Sequence, residues 1–326
     1  MFSIIIPLYN KAPYIAKAIQ SVAAQTFKEF ELIVIDDGST DIGAPQPPKG
    51  GVIISYNDIE ALIGEKGYFV RQSNAGVSST RNKGVSMAKY DYIAFLDADD
   101  WWEPTFLEEM KALIDEFPEA GIYGSSYYKV KNGVNIPANI GVEKGFDRGM
   151  INYCQVYAKT MYQPIWTGVA IIKKTVFDAE NGFNPRLKLG EDFDLWIRVA
   201  LKYKVVLLNK PLAYYNQDVE MTNRAIGEKL YEPNEHMLFT DYGELNNNID
   251  FRELFEVLAV YGLLPYYLAG KKTKQVNIIL SGINWKNHAF KYRLYYKYLP
   301  KIVVNFWFKA LKLASKCKSK LIEYIL

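Results

Sequence analysis

Three carboxylates stand within four residues at Asp97-Ala98-Asp99-Asp100. They end an apolar run, Tyr92 to Leu96, whose composition predicts a buried strand. A strand tip carrying Asp-x-Asp suits a hard divalent cation such as Mg²⁺ or Mn²⁺, because such ions prefer oxygen ligands. An ion held there would fix a diphosphate against the end of a sheet. Taken alone, the motif reads better as a solvated acidic turn; its weight comes from its company. A second acidic cluster runs Gly190-Glu191-Asp192-Phe193-Asp194-Leu195-Trp196. In it, Asp192 or Asp194 would cap a helix from about 194 to 202. Arg81, on a predicted helix, is either an anion contact or a solvated cation. The only two histidines, His236 and His288, read as surface or structural residues before metal ligands. Trp101 and Trp102 either wall a pocket or pack on the next helix, and Trp166 and Trp196 belong to a core or cleft.

The elements that must position these groups follow a strand–helix–strand pattern. Phe2 to Ile6 predicts a first buried strand, ending in Pro7-Leu8-Tyr9-Asn10. A helix follows, with Pro13 in its first turn and Ile15, Ala18, Ile19 and Val22 on one face. Glu31 to Ile35 predicts the second strand, stopped by Asp36-Asp37-Gly38-Ser39-Thr40-Asp41. Polar residues at the carboxyl ends of such strands are where open α/β sheets bind ligands. Residues 42–51, rich in Pro and Gly, predict a loop, and 52–55 and 68–71 predict strands around a short polar-apolar segment. Ser73 or Asn74 is expected to cap a helix reaching about Ala88, its first turn able to face an anion. Later come a helix over Phe106 to Phe117, a strand over 121–128, a loop-like stretch at 131–149 and a strand over 168–172. A turn at Asn181 to Pro185 and strands over 205–208 and 212–215 complete the pattern.

Composition sets wider limits. The 326 residues are 49% hydrophobic, enough for a sizeable core plus an extension. Charge is uneven: residues 271–326 carry 13 Lys/Arg and one acid, Glu323, whereas the first 270 are net acidic. A basic, aromatic tail points to an anionic partner. Within 284–326 the aromatics include Tyr292, Tyr295, Tyr296, Tyr298, Phe306, Trp307 and Phe308, in helices interrupted at Pro300. This segment either lies on an anionic membrane surface or packs on the catalytic domain. Nucleic acid is not expected, since no binding module is recognisable. Cys154 and Cys317 fit no metal spacing and are expected as thiols in a reducing compartment. No leader pattern and no run of 18 apolar residues is present, so a cytoplasmic protein is expected, peripheral at most on the inner face of the membrane. No Gly-x-Gly-x-x-Gly follows the first strand, which argues against a dinucleotide-binding domain.

Four motifs together resemble the inverting family 2 glycosyltransferases of the GT-A fold. They are Ser3-Ile-Ile-Ile-Pro7-Leu-Tyr9-Asn10; Gln20 through Asp41; Asn74-Ala-Gly76 through Arg81-Asn82-Lys-Gly84; and Phe95-Leu-Asp97-Ala-Asp99-Asp100. Thr80 stands where Ala is usual, and the Pro-rich loop replaces a usual helical segment. The resemblance covers roughly residues 1–215. It implies a Rossmann-like mixed α/β sheet flanked by helices over 1–218, with a nucleotide-binding half to about 100 and an acceptor half beyond. A helical, basic region over 219–326 would follow.

The resemblance also implies a UDP-linked sugar donor, a divalent metal (Mn or Mg), and a glycan or lipid-linked saccharide acceptor in surface polysaccharide assembly. By matching position, Pro7, Tyr9 and Asp37 would line the nucleobase pocket, and Arg81 would contact phosphate or nucleotide. Asp97 would serve ribose or metal, and Asp99 would be the metal ligand. Glu191-Asp192 falls where the family places its base. Asp192 is favoured over Asp194, and it must stay a carboxylate to accept a proton. No Gln-x-x-Arg-Trp motif accompanies these, which favours transfer of one sugar over polymerisation. The competing readings are a nucleotidyltransferase and a catalytically silent sugar-nucleotide-binding protein.

Overall fold

A computed structural model describes residues 1–43, 54–219, 230–308 and 310. Residues 44–53, which hold most of the Pro-rich loop and half of the 52–55 strand expectation, lie outside this set, as do residues 309 and 311–326, Cys317 among them. The chain forms two compact units, Met1–Met237 and Leu238–Leu326. The expected boundary after residue 218 borders 220–229, which also lie outside the described residues.

In the first unit, β1 (Phe2–Leu8), α1 (Ala12–Ala23) and β2 (Phe30–Asp36) form as the apolar patterns require. A helix, α2 (Tyr56–Ile63), then precedes β3 (Gly67–Arg71). The expected strand over 52–55 is corrected here. Ser55 and Asp58 form a reciprocal capping box that starts α2 instead. Next come α3 (Val77–Met87), β4 (Tyr92–Phe95), β5 (Trp101–Trp102), α4 (Phe106–Glu116) and β6 (Ile122–Lys131). The 131–149 stretch is less loop-like than expected: Asn132-Gly133 turns the chain back into β7 (Val134–Pro137), and β8 (Arg148–Ile151) closes it. Then follow α5 (Tyr153–Thr160), β9 (Ile171–Lys173), α6 (Lys174–Ala179), α7 (Glu191–Ala200) and β10 (Val205–Asn216). The expected 168–172 strand starts only at Ile171, after a short turn of 3-10 helix at Thr167–Val169. The two expected strands over 205–215 are one, with register shifts on either side of Pro211, where a missing N–H interrupts the ladder.

All ten strands join one mixed sheet, in the order β3-β2-β1-β4-β9-β6-β10-β5, with β7 beside β6 and β8 beside β10. The first four run parallel. Register pairs Leu8 with Asp36 and Ile5 with Phe95, so the loops after β1, β2 and β4 open along one edge. β2 is buried along its whole length, as a parallel strand covered on both faces must be. Gly84 lets α3 approach β1 closely; a Cβ there would collide with the Ile5 side chain. Phe95 meets Phe183 (5.3 Å), Phe177 (6.1 Å) and Trp196 (6.4 Å). Burying each such ring stabilises the fold by about 1.5–3 kcal/mol. The placement matters as much as the energy. Phe95 lies two residues before Asp97 and Trp196 four after Asp192, so one aromatic cluster ties the two acidic clusters to a common core.

The second unit is helical: α8 (Ile249–Gly262), α9 (Leu264–Ala269), α10 (Thr273–Ser281) and α11 (Phe290–Arg293). A π-helical turn at Leu294–Tyr298 and a helical stretch at 301–308 follow. Phe251, Leu254, Val260, Leu263, Tyr292 and Tyr296 are buried, and the Tyr296 hydroxyl donates to the Val260 carbonyl at 2.9 Å. His288 sits 3.1 Å from Glu256, a structural role as expected.

Candidate active site

The β1 loop is fixed by polar contacts to the loop after β2. Asn10, in the left-handed region at φ +50°, accepts from the Thr40 N–H at 2.8 Å and donates its own N–H to Ser39 at 3.0 Å. Asp41 accepts from the Ala12 N–H at 2.9 Å, satisfying one of the donors that open α1. Tyr9 is half exposed at this edge, and Pro7 lies just inside it.

Asp36 accepts from the Ser39 N–H at 2.8 Å, a local side-chain-to-backbone bond at the turn that leaves the sheet. Asp37 is buried. Its carboxylate accepts from Gln72 (2.8 Å), the Ala75 N–H (2.8 Å) and the Gly76 N–H (2.9 Å). A carboxylate offers about four acceptor directions, so about one remains for a ligand donor. This also corrects the expected cap of α3. The helix starts later than Ser73 or Asn74 because Asp37, from another strand, takes up the N–H groups ahead of it.

At the tip of β4, each carboxylate has a different fate. Asp97 accepts from Arg81 at 2.7 Å. Asp99 pairs with Lys11. Asp100 is buried, accepts from the Asn216 N–H at 2.7 Å, and keeps its second oxygen buried without a hydrogen-bond partner. Burial pushes the Asp99 carboxyl up against the pull of Lys11. Burial, then Asp99 and Asp97, push Asp100 well above the usual carboxylate range. An excess of crowded, desolvated carboxylate is the environment a cation relieves, so the donor set fits a divalent ion. Among the described residues, no three His, Cys, Asp or Glu side chains converge into a ready-made cage. The fit is therefore to an ion shared with ligand oxygens.

The second acidic cluster opens α7. Gly190 stands at the cap in the left-handed region (φ +80°), where a Cβ would also meet the Met237 side chain at 2.6 Å. The expected cap by Asp192 or Asp194 is corrected: both lie inside the first turn, where the helix dipole favours negative charge. Asp194 is buried against Arg198 at 2.7 Å, and that guanidinium also donates to the Gly182 carbonyl at 2.8 Å. Asp192 remains partly exposed and accepts from the Thr167 hydroxyl at 3.2 Å. Glu191 lies 3.3 Å from Arg81; burial, then Asp192, push its carboxyl up to about 7 against the pull of that guanidinium.

Arg81 thus links both clusters. It is 4% exposed, held by Asp97 on one side and Glu191 on the other. Burial works against its charge; Asp97, Glu191 and Asp192 outweigh that and hold it protonated. Thr80, beside it, donates to the Gly76 carbonyl at 2.9 Å, which accounts for a hydroxyl at that place.

The tryptophans separate cleanly. Trp102 stacks on Phe106 at 4.2 Å and donates to the Gly168 carbonyl at 2.7 Å, so it packs on the next helix. Trp101 stacks on Tyr214 at 5.2 Å with the Lys17 ammonium over its ring. Trp166 lies against Tyr127 and Tyr215. His236 is buried, which lowers its imidazole to about 4. Sequence reasoning missed Lys11 and Thr167; neither belongs to a recognisable motif, and only the tertiary contacts to Asp99 and Asp192 single them out.

A carboxylate cluster at the edge of a parallel sheet, bridged through Arg81 to a second cluster at the start of a helix, is the site of an α/β fold. The chain belongs to the family described as "Glycosyltransferase like family 2", which matches residues 3–261. It is similar to the glycosyltransferase GlyA of Streptococcus pneumoniae serotype 4, 30% identical over 65% of this chain and 30% of that one. It is also similar to the amylovoran biosynthesis glycosyltransferase AmsB of Erwinia amylovora, 27% identical over 70% of this chain and 74% of that one. The chain thus spans under a third of GlyA's length and about three quarters of AmsB's. Its fold matches the crystal structure of residues 1–349 of S. aureus TarS in complex with UDP-GlcNAc. The TM-score there is 0.63 at 20% identity, covering 86% of this chain and 79% of that one. The GT-A expectation for the fold therefore holds.

Proposed function

We propose that this protein transfers one sugar from a UDP-linked donor to a hydroxyl of a glycan or lipid-linked saccharide, with inversion at the anomeric carbon. The observation that carries this reading is the division within the second cluster. Asp194 is locked to Arg198, whereas Asp192 is partly exposed and oriented by Thr167. A general base needs reach and a fixed orientation more than it needs burial.

In this reading the acceptor hydroxyl oxygen attacks the anomeric carbon and Asp192 takes its proton. The bond to the diphosphate breaks on the opposite face, its electron pair leaving on the phosphate oxygen. An α-linked donor gives a β-linked product without a covalent enzyme intermediate. Asp99 and Asp97 would hold a Mg²⁺ or Mn²⁺, which supplies charge neutralisation on the departing nucleotide. Tyr9 offers a ring to the base, and Asp37 its remaining acceptor direction. Arg81 positions Asp97 and Glu191 relative to each other.

The UDP preference draws support from the UDP-GlcNAc complex of TarS, and a polysaccharide product from the name of AmsB. The reading puts the reaction in the cytoplasm, at the inner face of a membrane. The test is a panel of sugar nucleotides scored by thermal shift with and without Mn²⁺, followed by transfer assays with the donor that stabilises most. Binding raises stability by mass action, so a cognate UDP-sugar should shift Tm only with metal present. No shift with any UDP-sugar would overturn the donor class.

A further inference from the structure

The second unit carries an apolar surface that its own core leaves uncovered. In the 301–308 helical stretch Val304 is 1% exposed and Asn305 donates to the Leu268 carbonyl at 3.2 Å, which anchors one side. The other side is apolar and open: Ile302 is 78% exposed, Phe306 75% and Trp307 55%, with Tyr298 at 67% beside them in sequence. A helix packed on a soluble core places its polar residues outward; here the outward residues are the large apolar ones.

Charge accompanies the patch. No Asp or Glu occurs between Glu256 and Glu323, an interval holding 13 Lys/Arg. The Lys297 ammonium lies over the Trp285 ring at 5.1 Å and the Lys301 ammonium over the Tyr267 ring at 4.3 Å, and both residues stay exposed. Exposed aliphatic and aromatic side chains, a tryptophan and tyrosine, and lysines with no acidic counterpart are the composition of a surface that enters a lipid interface. A second copy of this chain would bring another uniformly basic patch against this one, which charge repulsion opposes.

We infer that Ile302, Phe306 and Trp307 insert into the interface of an anionic bilayer, with Lys297 and Lys301 against its phosphates. The aromatics of the tail thus divide between two tasks: Tyr292 and Tyr296 build the core, and Tyr298, Phe306 and Trp307 face outward. This inference is independent of the sugar and of the chemistry, because binding is read without turnover.

The experiment is flotation of the full chain with vesicles of phosphatidylglycerol and phosphatidylcholine, or of phosphatidylcholine alone. Each is run at low salt and at 500 mM salt. The protein should float with the anionic vesicles at low salt and partition at least tenfold less onto the neutral ones. A triple variant, Ile302→Ser with Phe306→Ser and Trp307→Ser, should lose at least tenfold in partition with an unchanged circular dichroism spectrum. Lys297→Glu and Lys301→Glu should each weaken it by about fivefold and need no apolar change. Equal flotation of wild type and triple variant would overturn the inference. So would absence of flotation, or a concentration-dependent dimer that the triple variant abolishes.

Discussion

The two acidic clusters make a controlled comparison inside one molecule. Each places three carboxylates within four positions, and each divides them the same way. One member is buried for structure: Asp100 on the Asn216 N–H, Asp194 on Arg198. One is tied to Arg81: Asp97 in the first cluster, Glu191 in the second. One meets a side chain from a distant part of the chain: Asp99 with Lys11, Asp192 with Thr167. They differ in the element that carries them. The first cluster ends a strand, and one of its members holds a buried oxygen without a hydrogen-bond partner. The second opens a helix whose dipole already favours negative charge. The strand-tip cluster keeps a buried carboxylate oxygen without a hydrogen-bond partner, which suits it to take up a cation. The helix-start cluster, with its charge favoured by the dipole, is suited to handle a proton.

The sharpest way to break the comparison is at the open members. Asp192→Asn should lower transfer by about a thousandfold while UDP affinity, read by titration calorimetry, stays unchanged. Near-normal turnover would return the base role to another group. Asp194→Ala should act on stability instead, costing about 3 kcal/mol because Arg198 is left without its buried partner. A urea melt reads this, and a variant as stable as wild type would show that the two aspartates are not divided as described. Lys11→Met and Lys11→Gln should each raise affinity for Mn²⁺ alone by about tenfold at pH 8, since Asp99 loses its resident cation. Electron paramagnetic resonance counts free Mn²⁺ directly, and weaker binding in both variants would reverse the assignment of Asp99.

The smallest effect is at Glu191. Its carboxyl in the fold sits near 7, above its ordinary value, so the folded state holds a proton that the unfolded chain has released. The stability this contributes is present below the ordinary carboxylate range and is lost as pH rises toward and through 7. Glu191→Gln removes the dependence, so the variant should gain a few degrees in Tm relative to wild type between pH 5 and pH 8. A constant difference across that range would mean that the Arg81 pairing dominates.

Much of this was legible before any coordinates. The β1, β2 and β4 runs, the amphipathic α1 and α4 and both acidic clusters are local patterns, and local patterns survive folding. What the sequence hid was tertiary. Residues 52–63 read as strand and spacer because β-branched residues precede a polar stretch, yet Ser55 and Asp58 cap a helix. The start of α3 depends on Asp37, nearly forty positions away. Pro211 made one strand look like two. Lys11 and Thr167 are unremarkable residue types that acquire meaning only from the carboxylates they reach.

The span of the site's contacts bears on how the protein is made. The Arg81–Glu191 link joins residues 110 positions apart, and the Asp100–Asn216 link 116. Closing loops of that length costs entropy before any contact repays it, so distant pairings form late. During synthesis the strand-tip carboxylates emerge more than a hundred residues ahead of the Asn216 N–H that satisfies Asp100. Until residue 191 is made, Arg81 lacks one end of the bridge that joins the two clusters.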